Sequence, residues 1–202
     1  MKNKLLILII IVIGAGVGIG YTIIHSHSKY KKVLSAQANV LSLQVTPQPT
    51  MPPGIPQTIS IPKINVHATV ESVGMDSQGR MDVPKNAVDT AWYKPGYKPG
   101  MKGSAVIDGH LDRVTGAPAV FWNLKELTPG DRISVAEDNG KTYTFTVTQI
   151  SRYPDANFPI KEVFAASDVP MLNLITCNGT WDKNTKNYSD RLVVYSKLVS
   201  QN

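Results

Sequence analysis

One cysteine, Cys177, stands among 202 residues. With no second thiol in the sequence, no intramolecular disulfide can form, and an unpaired thiol in an oxidising compartment calls for a use. By default a lone cysteine is a small buried hydrophobe. Position points further here. Cys177 ends the apolar run Leu172-Asn173-Leu174-Ile175-Thr176 and precedes Asn178-Gly179, so a strand is expected to stop there and a loop to begin. A strand end exposes a side chain whose direction the strand behind it fixes. A thiol is a nucleophile only as thiolate, which requires nearby positive charge or a histidine.

Four histidines are available. His25 and His27 adjoin a long apolar segment, and His67 lies in a strand-like run without polar company, as a packing or surface residue. His110 differs. It closes the run Ser-Ala-Val-Ile-Asp-Gly-His, again at a predicted strand end, with Gly109 removing bulk beside it. Alone it would pass for structural; a cysteine and a histidine each ending a strand together suggest thiol acyl transfer. Arg191 opens the last predicted strand, RLVVYSKLV. It is either a rim charge or a donor for the oxyanion of a tetrahedral intermediate, a task suited to a permanently charged guanidinium. Asp108 and Asp112 flank His110, either tuning its ring or solvated in a loop. No carboxylate cluster has calcium-loop spacing, so neither a metal nor a cofactor is expected.

The elements that would position these residues are short strands. With 15 glycines and 14 prolines and few helix-favouring runs, the composition leans to a mostly-β domain. Apolar or alternating stretches at 58–61, 65–70, 104–107, 132–136, 141–150, 171–176 and 192–199 read as strands. In the fifth of these, Tyr143, Phe145 and Val147 face one way and Thr142, Thr144 and Thr146 the other, as in a half-buried strand. Asn139-Gly140 before it is a hairpin signal, since both residues tolerate positive φ. Seven or more strands at this spacing suggest a closed barrel or a sandwich.

The N-terminal quarter is different. Leu5 to Ile24 is 20 residues without a charge, long enough to cross a bilayer as a helix. A cleaved signal peptide is the competing assignment, given Ala36-Gln37-Ala38. The apolar run is too long for a signal core and ends a dozen residues before that site, so an uncleaved anchor is expected. Residues 1–4 are assigned to the cytoplasm, 5–24 to the membrane, 25–57 to a polar stalk with a Pro-rich linker, and 58–202 to the folded domain. The five prolines in Thr46 to Pro56 make a semi-rigid spacer. Net charge is +6, but Lys2, Lys4, Lys29, Lys31 and Lys32 precede position 58 with no acidic residue among them. Removing those five from 21 basic residues leaves 16 against 15 acidic ones. The near-neutral domain argues against a nucleic-acid partner.

At the same residues the chain resembles the sortase family, from about Thr58 to Val199. IPKINVHATV resembles its opening strands, SAVIDGHLD its histidine motif, FWNLKELTPGDRISV the region after it, LITCNG its Leu-x-Thr-Cys motif, and DRLVVY its arginine-bearing strand. The resemblance implies an eight-stranded β-barrel with short helices and a Cys177-His110-Arg191 active site. It implies cleavage of a sorting motif related to Leu-Pro-x-Thr-Gly, a thioacyl-enzyme, and transfer of a surface protein to an amine of the cell envelope. Thr176 and Asp112 are then expected to contact substrate. The expected setting is the membrane of a Gram-positive-type bacterium, crossed once, with the catalytic domain outside. Asn178 stands where one subgroup has a glycine, and that subgroup carries its arginine slightly earlier than Arg191. The Pro-rich stretch lacks the acidic-aromatic lid of pilus-building members, so the likeness is nearest to the non-pilin classes E and F. An L,D-transpeptidase fits less well, because Ile175-Thr176-Cys177-Asn178 lacks its Ser-x-Gly-Cys pattern. The remaining rivals are a surface-displayed β-barrel binding module and a thiol peptidase that resolves the intermediate with water.

Overall fold

Eight strands in the computed structural model, which describes residues 53–202, close into one barrel. The expected cytoplasmic tip 1–4, the apolar span 5–24 and the stalk up to residue 52 lie outside the described residues. The strands are β1 (Pro56–Ile61), β2 (Val66–Val73), β3 (Thr90–Tyr93), β4 (Gly103–Gly109), β5 (Arg132–Glu137), β6 (Thr142–Pro154), β7 (Pro170–Asp182) and β8 (Asn187–Gln201). Around the barrel they run β1-β2-β3-β4-β7-β8-β6-β5. The β2–β3 and β4–β7 pairs are parallel, and the others antiparallel. Among the described residues, helix is confined to one α-helical turn, α1 (Ile160–Val163), and three 3₁₀ turns.

Alternation along the strands sorts side chains onto two faces. Ala105, Ile107, Leu172, Leu174, Leu192 and Val194 point inward and pack with Tyr143, Phe145 and Val147 from β6. Their neighbours Val106, Ile175, Val193 and Tyr195 form a second cluster on the outer face. That face is covered by the β6–β7 connection, through Val163 with partly buried Phe158 and Phe164. Asn173, also buried, donates to the Val163 carbonyl at 2.6 Å and ties α1 to β7.

Several boundaries differ from the sequence expectation. Strand β1 starts at Pro56, inside the stretch assigned to the linker, and a register shift follows that first pair; proline is tolerated at the first position of a strand because no ladder donor is needed there. Strands β7 and β8 continue past the barrel as a two-stranded ribbon to Trp181↔Tyr188 and Asp182↔Asn187. Cys177 and Arg191 therefore lie within long strands, and the ending strand is their neighbour β4. In the β5–β6 hairpin only Gly140 takes positive φ, at 81°, with its N–H on the Glu137 carbonyl. Asn139 keeps the ordinary hand.

Candidate active site

The outer face carries the site. Across the β7–β8 ladder Cys177 is paired with Arg191, and across β8–β6 Arg191 is paired with Tyr153. Opposed residues in such ladders share a face, so Cys177, Arg191 and Tyr153 form one lateral row over three strands. Strand β4 runs parallel to β7 with Asp108 beside Ile175. His110 comes two residues after Asp108, directly past the end of β4, and Cys177 two residues after Ile175 within β7. Cys177 and Arg191 thus lie within the adjacent strands β7 and β8, and His110 is the first residue after the neighbouring strand β4, which ends at Gly109.

Local contacts hold this arrangement. Thr176, the residue before the thiol, is 1% exposed, and its hydroxyl donates to the Gly109 carbonyl at 2.7 Å. Its side chain joins the ends of β7 and β4, because Thr176 takes the inward side of β7 while Cys177 takes the outward one. Gly109 lies against Phe121: a Cβ there would stand 2.5 Å from the Phe121 ring. His110 Nε2 is 3.0 Å from the carbonyl of buried Pro84. A carbonyl only accepts, so Nε2 bears the proton and Nδ1 is the basic nitrogen of the neutral ring. His67 is exposed, on the surface of β2.

Arg191 is half-buried and heavily engaged. It pairs with Asp155 at 2.8 Å and donates to Asn187 Oδ1 at 2.8 Å. Neither partner stood out in the sequence. Asp155 opens a 3₁₀ turn at the end of β6 (Asp155–Asn157), where Pro154-Asp155 signals only a turn. Asp112 accepts from Tyr188 Oη at 2.5 Å, linking the segment after His110 to the β7–β8 ribbon. That hydrogen bond is the main reason the Tyr188 phenol is pushed up to about 12. Trp181 packs edge-on against Tyr188, ring centroids 5.2 Å apart, and stays exposed.

The electrostatics disfavour a resting thiolate. Burial pushes the Cys177 thiol above its ordinary value of 9.0; Arg191 opposes this, and Asp108, Asp112 and Asp155 add to it. Burial also pushes the Asp108 carboxyl up to about 6, against the pull of His110, the Gly109 N–H and Arg191.

Comparison with known proteins gives an independent account of the chain. The Sortase domain model matches residues 59–199. Among solved structures, sortase A of Listeria monocytogenes is 19% identical, with a TM-score of 0.55 over 74% of this chain and 90% of that one. A lid mutant of sortase A from Corynebacterium diphtheriae is 24% identical, with a TM-score of 0.56 over 78% and 76%. The sortase D5 transpeptidase of Clostridium perfringens is 23% identical, with a TM-score of 0.54 over 73% and 79%. No curated protein matches the chain. The barrel agrees with these structures, and with the domain match spanning most of its length the chain belongs to the sortase family of cysteine transpeptidases.

Proposed function

We propose that this sortase is anchored by residues 5–24 in the membrane of a Gram-positive-type cell, with its barrel outside. There it attaches surface proteins to an amine of the cell envelope. Cys177 gives its thiol proton to His110 as Sγ attacks the threonine carbonyl of a Leu-Pro-x-Thr-Gly-like motif. His110 protonates the departing glycine amine as the C–N bond breaks, leaving a thioacyl-enzyme. The incoming amine then attacks the same carbon and gives its proton to His110, which passes it to Sγ as the C–S bond breaks and the new amide is released. Arg191 donates to the oxyanion in both halves. Support comes chiefly from one observation: Cys177 and Arg191 are register partners on the outer face, with His110 directly following the neighbouring strand β4. The missing acidic-aromatic lid favours attachment of single proteins over pilus building, as in classes E and F.

The test uses the full chain in detergent with a pool of Leu-Pro-x-Thr-Gly peptides and oligoglycine, followed by mass spectrometry. Cleavage after threonine and ligation to glycine are expected, with a thioacyl adduct absent from Cys177→Ala. Cleavage to the free acid alone would make the protein a thiol peptidase. A folded chain that forms no adduct with any peptide would sink the proposal in favour of a binding module.

A further inference from the structure

Both Nη nitrogens of Arg191 are occupied. Nη1 donates to the main-chain carbonyls of Tyr188 at 3.2 Å and Asp190 at 3.0 Å. Nη2 meets Asn187 Oδ1 and Asp155 Oδ1, each at 2.8 Å. Asn187 Nδ2 closes the ring by donating to Asp155 Oδ2 at 2.7 Å. The two holders come from different elements: Asn187 begins β8, and Asp155 follows β6. The register Tyr153↔Arg191 and Pro154↔Asp190 brings the β6 end alongside β8, and Phe158 packs edge-on against Tyr153, centroids 6.2 Å apart, to fix the turn. Among the described residues no acceptor engages Nε.

We infer that Asp155 and Asn187 are positioning residues for Arg191: they fasten the far edge of the guanidinium to the ribbon and leave Nε–H as its donor to the reacting carbonyl. This rests on the oxyanion role proposed for Arg191. A planar fork has fixed donor directions, so a clamp on Nη sets the line along which Nε–H points. A free arginine would swing among rotamers and present that donor only part of the time. Catalytic donors work by being aligned before charge develops.

Asp155→Asn and Asn187→Ala in the full chain test this, with ¹⁵N-arginine spectra and acyl-transfer kinetics on the best-cleaved peptide of the pool. The wild type should show separate, slowly averaging Nη signals for Arg191, assigned by their loss in Arg191→Ala. Both variants should merge these signals, and kcat should fall about ten- to a hundredfold, the scale of a misplaced group, while KM moves less than about twofold. Melting curves establish that each variant is folded. Averaged Nη signals in the wild type, or a folded Asp155→Asn enzyme with wild-type or higher kcat, would overturn the clamp. A wild type that forms no thioacyl adduct would instead sink the catalytic proposal, and the Nη signals would still decide the clamp.

Discussion

Replacing Thr176 by valine isolates the link between the ends of β4 and β7. The side chain is 1% exposed, and its hydroxyl makes one interaction, the 2.7 Å bond to the Gly109 carbonyl. Valine fills nearly the same volume but leaves that carbonyl short of a partner in a site water cannot easily enter. The cost of such a loss is about 1–3 kcal/mol, which lowers the melting temperature of a domain this size by roughly 2–12 °C. Catalysis should suffer in a particular way. Gly109 precedes His110, so loosening it lets the ring shift against Cys177, and kcat should fall while KM holds. Thermal melts and acyl-transfer kinetics on the same preparation check both. An unchanged melting temperature would refute the clamp role of the hydroxyl. A raised KM with unaltered kcat would restore Thr176 to the substrate-contact role expected from the resemblance.

Three further outcomes follow from the same geometry. Asp108 has a folded-state value of about 6, above the ordinary 3.8, so folding takes up a proton between the two; its contribution is fully present below about pH 4 and is lost as pH rises through 6. The shift corresponds to at most about 3 kcal/mol, and Asp108→Asn should melt higher than wild type at pH 7.5 but not at pH 4; a variant that melts lower than wild type at pH 7.5 would count against it. Gly109→Ala should destabilise by about 1–3 kcal/mol, because its Cβ would meet the Phe121 ring at 2.5 Å; denaturant titration with an unchanged midpoint would contradict the close packing. Arg191→Ala removes the charge that opposes burial at Cys177, so the pH midpoint for alkylation of the thiol should rise further above 9.0; a midpoint that falls would reverse the sign of that coupling.

The parts of this fold legible in sequence are those where local pattern and burial coincide. Tyr143, Phe145 and Val147 are buried and their threonine neighbours half-exposed, as alternation requires. Strand β3 was missed because Thr90, Ala91 and Trp92 are all buried, which erases the alternation in a four-residue strand. The ribbon beyond Cys177 was missed for the opposite reason. Asn178 to Asp182 is polar apart from Trp181 and carries no period; it is strand because β8 pairs with it. Cysteine, histidine and arginine could be picked out by residue type beside a strand edge. Asp155 could not, since its pairing with Arg191 is a consequence of the β6–β8 register. Nothing in its residue type marks Asn187 either; its side-chain bonds to Asp155 and Arg191 exist only once the chain is folded.

The charge around Cys177 has a mechanistic consequence. Sites that store a thiolate surround it with positive charge; here burial and three carboxylates outweigh one guanidinium, and the resting group is a neutral thiol. A neutral thiol oxidises slowly, which suits an enzyme proposed to work outside the cytoplasm. With Cys177 as the proposed nucleophile, the same choice limits the fraction of enzyme ready to attack. Rate must then come from alignment, and the structure invests in alignment throughout the row. Thr176 fixes β7 against β4, the Pro84 carbonyl fixes one nitrogen of His110, and a ring of side-chain and main-chain acceptors holds Arg191. Electrostatic preorganisation of this kind raises the rate without any change in the resting protonation of the nucleophile. Acylation should therefore depend more steeply on the residues that hold the row in place than on the pKa of the thiol itself.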